Sequence, residues 1–321
     1  MSPRADVTEL VGQAREGKPR AVARLISLVE DAHPQLREVA AALTPYTGNA
    51  QVVGLTGPPG VGKSTSTSML LSALREQGKR VGVLAIDPSS PFSGGALLGD
   101  RIRMSEHAVD PGVFIRSMAT RGHLGGLAWA APQAVRVLDA AGFDVVLIET
   151  VGVGQSEVDV VRLADTTVVL LAPGMGDGIQ AAKAGVLEIA DVFVVNKADR
   201  EGADATVHDL RQLVAMSRRG VAGPSWRQPI VPTAAAKGEG AAEVLRALGE
   251  HHTWLAEHGE LDRRRTARAE AEVEAIALRR LRAELGELRG GERLGELARR
   301  VAGRELDPYA AADELVADLR R

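Results

Sequence analysis

The sequence contains no cysteine. Disulfides, thiolate nucleophiles, zinc ribbons and cysteine-held iron–sulfur clusters are therefore excluded. Aromatic residues are scarce, at three Trp, two Tyr and four Phe. That is too few for a stacking surface along single-stranded nucleic acid. Lysine is scarce as well: Lys18, Lys63, Lys79, Lys183, Lys197 and Lys237 are the six among 39 basic residues, and the rest are arginine. Codon usage in a GC-rich genome accounts for such a skew. Because the two cations differ in shape and donor geometry, each remaining lysine still raises the question of why arginine would not serve. The net charge is -3, from 39 basic and 42 acidic residues, with no basic excess to suit nucleic acid or an anionic membrane. No stretch approaches 18 uncharged apolar residues, and the first thirty residues hold no continuous apolar segment of the kind that directs secretion. The expectation is a cytoplasmic protein without membrane or nucleic-acid partners.

What is present is 321 residues, 45% of them hydrophobic, enough for about two domains and a sizeable core. Residues 1–47 follow a helical period: Val7, Leu10, Val11 and Ala14, then Ala21, Leu25, Leu28 and Val29. After Pro34 the period resumes at Leu36, Val39, Ala40 and Leu43, and Thr47-Gly48-Asn49 marks a boundary. The middle of the chain reads differently. Short apolar runs stand at 52–55, 81–86, 113–115, 145–148, 168–171, 192–195 and 230–231. Several are rich in β-branched residues and do not alternate, as befits strands buried on both faces of a parallel sheet. Helical stretches around 63–77, 131–141, 178–190, 203–218 and 239–257 separate most of them. The alternation predicts an α/β fold with a doubly wound, mainly parallel sheet. Past about 258 the strands stop. Residues 263–288 read as a long charged helix with Val273, Ile276, Ala277, Leu281, Leu285 and Leu288 on one side, and Gly290-Gly291 ends it. Two shorter helices follow near 292–302 and 308–320, and the pattern leaves open whether they cap the core or form a dimerisation arm. The expected organisation is an N-terminal helical extension (1–47), a P-loop domain (48–257) and a C-terminal helical arm (258–321).

Three motifs carry chemistry. After the run at 52–55 comes Gly57-Pro58-Pro59-Gly60-Val61-Gly62-Lys63-Ser64-Thr65, which fits G-x-x-x-x-G-K-[ST] between a strand and a helix. Its glycines let backbone N–H groups curl round phosphates, and the following helix adds its positive N-terminus. Lys63 can reach the β- and γ-phosphates, and the Ser64 hydroxyl can ligate Mg²⁺. At the end of the run at 192–195 stands Asn196-Lys197-Ala198-Asp199, in the position where open α/β sheets bind ligands. The Asp199 carboxylate can accept from N1–H and the N2 amino group of guanine, an arrangement that adenine does not offer. Lys197 would lay its stem on the base, and Asn196 would tie the loop together. Thr233, Ala234 and Ala235, in Thr233-Ala234-Ala235-Ala236-Lys237-Gly238, are placed to clamp the same base through the backbone. The run at 145–148 leads into Glu149-Thr150-Val151-Gly152, where the common GTPase layout has D-x-x-G. Glu149 would hold Mg²⁺, directly or through water, and the Gly152 N–H would sense the γ-phosphate. Gln155 lies three residues past Gly152, too far along to be assigned the water-positioning role. Asp87 and Asp100 are further candidate Mg²⁺ carboxylates, and Arg101, Arg103, Arg116 and Arg121 are candidate cationic fingers. Mg²⁺-assisted attack of water on the γ-phosphate of GTP, giving GDP, is the reaction these residues suit, with slow intrinsic turnover.

Together these residues resemble the MeaB/ArgK-type GTPases, the group that includes the methylmalonyl-CoA mutase accessory protein. The resemblance covers nearly the whole chain and rests on GPPGVGKST (57–65), AIDPSSPFSGGALLGDRIRM (85–104), RSMATRGHLGGL (116–127), ETVGVGQSE (149–157), GMGDGIQAAKAG (174–185) and NKAD (196–199). Glutamate at 149 is that family's form of its motif. The resemblance implies a GTP-dependent chaperone of an adenosylcobalamin-dependent acyl-CoA mutase, which gates cofactor loading and protects the mutase from inactivation. It implies Mg²⁺ held by Ser64, Asp87, Asp100 and Glu149. It further implies switches near 87–104, 149–163 and 174–186, with Asp177, Gln180 and Lys183 coupling nucleotide state to the partner, and a homodimer through the C-terminal helices. Two other readings compete: a P-loop kinase or other phosphotransferase, against which the N-K-A-D loop weighs, and a metal-inserting GTPase, which would need His or Cys ligands. Cysteine is absent, and His251-His252, the one adjacent histidine pair, is expected on a helix surface.

Overall fold

The seven apolar runs form one sheet in a computed structural model of the chain, which describes residues 6–88, 107, 109–120, 126–150, 162–174, 189–217, 225–284 and 292–319. The strands are β1 (Gln51–Thr56), β2 (Val81–Pro88), β3 (Val113–Thr120), β4 (Val145–Thr150), β5 (Thr166–Leu171), β6 (Val192–Asn196) and β7 (Ile230–Thr233). They lie in the order β3-β2-β4-β1-β5-β6-β7, and every neighbouring pair is parallel. The helices are α1 (Val7–Arg15), α2 (Pro19–Glu30), α3 (Leu36–Leu43), α4 (Lys63–Glu76), α5 (Gly126–Ala140), α6 (Ala203–Ser217), α7 (Ala241–Glu257), α8 (Glu260–Glu284), α9 (Glu292–Ala302) and α10 (Pro308–Leu319).

Side chains alternate across a strand, so a strand apolar at both parities must be covered twice. Val81, Val83, Val145, Leu147, Val168, Leu170, Val192 and Val194 pack on one face with α4 and α7. Leu84, Ile86, Val146 and Ile148 face the other way, against α5 and the N-terminal helices, where Val7, Val22, Leu25, Ile26 and Val29 are buried. Val169, Leu171, Phe193 and Val195 complete that face against α6. The first helices are thus a wall of the core.

Two elements run longer than their sequence signals. β3 continues to Thr120 although Arg116 and Ser117 interrupt its apolar run, because eight consecutive residues of β2 pair with it. α5 begins at Gly126 and carries Pro132 within it, where the expected helix started near that proline. The expected helix at 178–190 lies almost entirely outside the described residues.

The edge of the sheet at the strands' N-terminal ends is fastened by charge. Asp139 of α5 accepts from the N–H groups of Gly48 (2.5 Å), Asn49 (3.1 Å) and Ala50 (2.9 Å), just before β1. The fully buried Asp165 accepts from Val52 N (3.0 Å), Arg265 (3.2 Å) and Arg268 (2.5 Å). Asp191 takes a two-pronged pair from Arg264, both contacts at 2.8 Å, and the Thr167 N–H at 2.8 Å. Arg265 also donates to Gly48 O (2.6 Å) and Ala50 O (3.1 Å). His251 does not lie on a helix surface as its sequence position suggested. It is fully buried, with Nδ1 2.9 Å from Thr166 Oγ1 and Nε2 3.3 Å from Asp191. Trp226 closes over it and donates to Asp191 O at 2.7 Å.

The chain divides into two compact units, Met1–Arg268 and Ala269–Arg321. In the second, Glu314 of α10 pairs with Arg293 (3.4 Å) and Arg300 (2.9 Å) of α9. Among the described residues no helix is long and apolar enough to cross a membrane.

Burial works against the charged form of Asp165, but Arg268, Arg265 and the Val52 N–H outweigh it and hold the carboxyl below the usual carboxylate range. Its contribution to stability is therefore present above about pH 4 and lost as pH falls through the lowered folded-state value. Removing both arginines leaves burial to push that value up instead. Arg265→Leu/Arg268→Leu should cost about 3–5 kcal/mol at neutral pH. In chemical denaturation the deficit against the native chain should shrink as pH falls towards 4.

Candidate nucleotide site

The C-terminal ends of the central strands carry the predicted motifs, and the local sequence dictates each turn. β1 ends at Thr56, and Gly57 follows with φ +143°. A Cβ on Gly57 would stand 2.3 Å from the Leu170 carbonyl oxygen of β5, so only glycine lets the loop leave between the two strands. Gly62 caps α4 with φ +95°, and its Cβ would meet Asn196 Nδ2 at 2.4 Å. α4 then starts at Lys63, with the Ser66 N–H closing onto Gly62 O at 2.9 Å. Lys63 and Ser64 are buried, while Pro59, Gly60 and Thr65 face solvent. Lys63 Nζ donates to Gly57 O (2.5 Å) and Pro58 O (3.1 Å), which curls the side chain into the loop it would share with phosphates.

Ser64 Oγ donates to Glu149 Oε1 at 2.5 Å, and both side chains are buried. The sheet register explains the meeting: Glu149 pairs with Leu55 near the end of β1, beside the start of the phosphate loop. A hydroxyl and a carboxylate, oxygen donors both, fit a hard divalent cation at the foot of that loop. Asp87 lies in β2 in register with Ala119, and nothing is described of its side chain. Asp100, Gly152, Gln155, Asp177, Gln180 and Lys183 lie outside the described residues, as do Arg101, Arg103 and Arg121. Arg116 is described and is not free to act as a finger. Its guanidinium pairs with Glu30 and donates to Ser27 Oγ (3.2 Å), both on α2, so it ties β3 to the N-terminal helices.

Asn196, the last residue of β6, joins three loops. Its Nδ2 donates to Val61 O in the phosphate loop at 2.8 Å. Its Oδ1 accepts from Thr233 Oγ1 (3.3 Å) at the end of β7 and from the Ala235 N–H (3.1 Å) just beyond it. Lys197 takes the left-handed conformation, φ +59°, and Nζ reaches Gly60 O at 2.6 Å. Asp199 faces Lys237 across 3.0 Å, and the lysine holds its carboxyl below the usual carboxylate range. Sequence reasoning missed this pair. The signal that could have found it is a lysine kept in an arginine-dominated chain, on the turn next to the N-K-A-D loop.

The model of one protein family, "Methylmalonyl Co-A mutase-associated GTPase MeaB", matches residues 22–287. The chain belongs to the MeaB family. A putative GTPase of Pyrococcus abyssi is 48% identical over 314 residues, 98% of this chain and 97% of its own. The GTPase ArgK of Escherichia coli is 36% identical over 80% of this chain and 79% of its own. A crystal structure of a protein named LAO/AO transport system kinase covers 100% of both chains with a TM-score of 0.71 at 26% identity. The MeaB chain is thus a P-loop GTPase that binds guanine nucleotides, on the doubly wound parallel sheet with helical extensions that its sequence predicted. The resemblance read from its motifs is correct at the level of the family.

The contrast between two loop glycines gives a test. Gly57→Ala drives a methyl into a backbone oxygen that cannot rotate away and should cost about 3 kcal/mol or more of folding stability. Gly60→Ala meets nothing within 4 Å and should cost about 1 kcal/mol, from its φ of +81° alone. Thermal unfolding and titration with a fluorescent GDP should rank the two variants in that order.

Proposed function

We propose that this MeaB protein is a GTP-hydrolysing chaperone of an adenosylcobalamin-dependent acyl-CoA mutase of the methylmalonyl-CoA mutase type. It would gate loading of the cofactor and protect the mutase from inactivation. The observation that carries the nucleotide half of this reading is the Asn196 junction, which fixes an N-K-A-D loop against a phosphate loop. The family supplies the mutase half.

In the proposed reaction a water oxygen attacks the γ-phosphorus of GTP, the bond to the β–γ bridging oxygen breaks, and GDP and inorganic phosphate leave. Gly57, Pro58, Pro59, Gly60, Val61 and Gly62 wrap the phosphates, Thr65 lies at the mouth of the loop, and Lys63 turns from the Gly57 and Pro58 carbonyls to the β- and γ-oxygens. Asn196, Lys197, Asp199, Thr233, Ala234 and Ala235 frame the base. Ser64 and Glu149, with Asp87 and Asp100, would hold Mg²⁺. When bound, that ion neutralises charge on the β- and γ-oxygens. The Gly152 N–H reports the γ-phosphate, so hydrolysis releases the segments near 87–104, 149–163 and 174–186. Asp177, Gln180 and Lys183 pass that change to the mutase. Slow intrinsic turnover leaves room for the mutase to accelerate hydrolysis by ordering these segments.

The functional division we infer is a helical extension (1–47), a GTPase domain (48–257) and an arm (258–321) that pairs two copies. Val273, Leu278 and Leu281 of α8 and Tyr309 and Val316 of α10 are exposed in the single chain, which supports an arm with a further surface to cover. We place the protein in the cytoplasm. A second reading adds phosphate transfer to an acceptor alongside hydrolysis, since the matching crystal structure is named as a kinase.

Turnover of GTP against ATP, with and without small-molecule acceptors, separates the two readings. The GTPase reading expects phosphate release from GTP without any acceptor. Lys63→Ala should abolish nucleotide binding. Asp199→Asn should reduce the preference for guanine over xanthine nucleotides, and unchanged discrimination would count against its base-reading role. For the client, the tagged full chain should co-purify with its mutase in a nucleotide-dependent way. Equal recovery with GDP and a non-hydrolysable GTP analogue would remove the switch from the account.

A further inference from the structure

β4 ends on two polar residues with opposite surroundings. Successive side chains of a strand point to opposite faces. Glu149 shares its face with Val145 and Leu147, which pack with α4, and it is bonded to Ser64. Thr150 shares its face with Val146 and Ile148, which pack with α5. Thr150 is fully buried, and among the described residues its Oγ1 has no hydrogen-bond partner. Buried threonines elsewhere in the chain are satisfied. Thr67 donates to Lys63 O (3.0 Å), Thr206 to Gly202 O (3.0 Å) and Thr233 to Asn196 Oδ1 (3.3 Å), and Thr166 Oγ1 lies 2.9 Å from His251 Nδ1. A buried hydroxyl without a partner carries a penalty that a valine of the same shape would not. β4 already has valine at 145 and 146, so strand geometry and packing alone would be served by a third. A hydroxyl kept at that cost has a partner in a second arrangement of the strand's end. Its place in the chain says which arrangement. Thr150 adjoins Glu149 and stands two residues before Gly152, at most about 7 Å of chain.

We propose that Thr150 is a positioning residue for the GTPase reaction, its hydroxyl orphaned in the arrangement described here and hydrogen-bonded in the one that a γ-phosphate selects. The inference rests on the assignment of Gly152 to the γ-phosphate and deepens it. On the face of β4 opposite Glu149, Thr150 touches neither metal nor phosphate. It acts through the two residues of backbone that separate it from the Gly152 N–H. GTP draws that N–H towards its γ-phosphate, the end of β4 follows, and the hydroxyl gains its partner. GDP lacks the group that draws the strand's end and leaves the hydroxyl orphaned. Only an interaction that differs between two states can shift the balance between them, and satisfying a buried hydroxyl in one state alone is such an interaction. Thr150 thus adds to the preference for GTP over GDP without contacting either nucleotide.

The test compares the native full chain with Thr150→Val, which keeps the shape and loses the hydroxyl, and Thr150→Ser, which keeps the hydroxyl and loses a methyl. Affinities for GDP and for a non-hydrolysable GTP analogue should be measured by calorimetry with Mg²⁺, and thermal unfolding followed without nucleotide. Taking the ratio of the two affinities cancels any general loss of stability. The expected result is that Thr150→Val lowers the ratio of analogue to GDP affinity about five- to tenfold, as for one hydrogen bond, while Thr150→Ser keeps it within about twofold of native. Without nucleotide, Thr150→Val should unfold about 2–4 °C higher than the native chain, because the orphan is gone. A ratio unchanged or raised in Thr150→Val would overturn the proposal. So would an equal fall in Thr150→Ser, which would make shape and not the hydroxyl responsible. A lower unfolding temperature for Thr150→Val would overturn it as well, since the hydroxyl would then already be bonded, for instance to a buried water. Failure of the native chain to bind either nucleotide would strike the guanine-nucleotide reading itself. Native binding with no preference between the two would strike the assignment of Gly152, a different result again.

Discussion

The site depends on one buried amide. Asn196 belongs to the sheet through β6, and its side chain spends both ends on other loops, donating to the phosphate loop at Val61 and accepting from the turn after β7. A buried amide left half satisfied costs about 1–3 kcal/mol, so the arrangement holds all three loops or none. The glycine at 62 serves the same junction, because any side chain there would occupy the space of the Asn196 amide nitrogen. The distance between the place for phosphates and the place for a base is thereby set by the protein before any ligand arrives, which is what preorganisation requires.

The two edges of the sheet solve opposite problems. At the N-terminal ends of the strands, the acids Asp139, Asp165 and Asp191 are saturated by backbone N–H groups and, for two of them, arginines, and the arrangement is closed. At the C-terminal ends, among the described residues, the cations resting on carbonyls at Gly57, Pro58 and Gly60 and on the carboxylate of Asp199 are lysines. Arginine forks lock geometry, whereas lysine is a point charge on a flexible stem. The fastened edge uses the first and the ligand edge the second. The chain's general shortage of lysine makes that division visible.

The strands were legible in the sequence because burial on both faces leaves an unbroken apolar run, as at 145–148 in β4. The extension of β3 through Arg116 was not, since a strand made by pairing with β2 and closed by an ion pair to Glu30 shows no apolar signal. The same contact withdrew Arg116 from the list of candidate fingers. The phosphate and base loops were legible because backbone geometry and base chemistry restrict which residues can stand there. The burial of His251 was not, because a histidine bonded to a threonine, set 3.3 Å from an aspartate and covered by Trp226 looks, in one dimension, like any helix-surface histidine. Nor was the pairing of Lys237 with Asp199, which needs the turn after β7 to fold beside β6 before the two charges meet.

One feature of the sheet bears on how this chain can vary. β1 is pinned below by Asp139 and Arg265 gripping residues 48–50, and above by Gly57 wedged against Leu170. Between those pins its residue count is fixed. Substitutions along Gln51–Thr56 can be absorbed one at a time wherever size and polarity allow. A single inserted or deleted residue cannot, because it would turn Val53 and Leu55 to the opposite face or carry the glycine off its carbonyl. Length variation among descendants of this chain belongs in its loops, and β1 should be the segment whose length never changes.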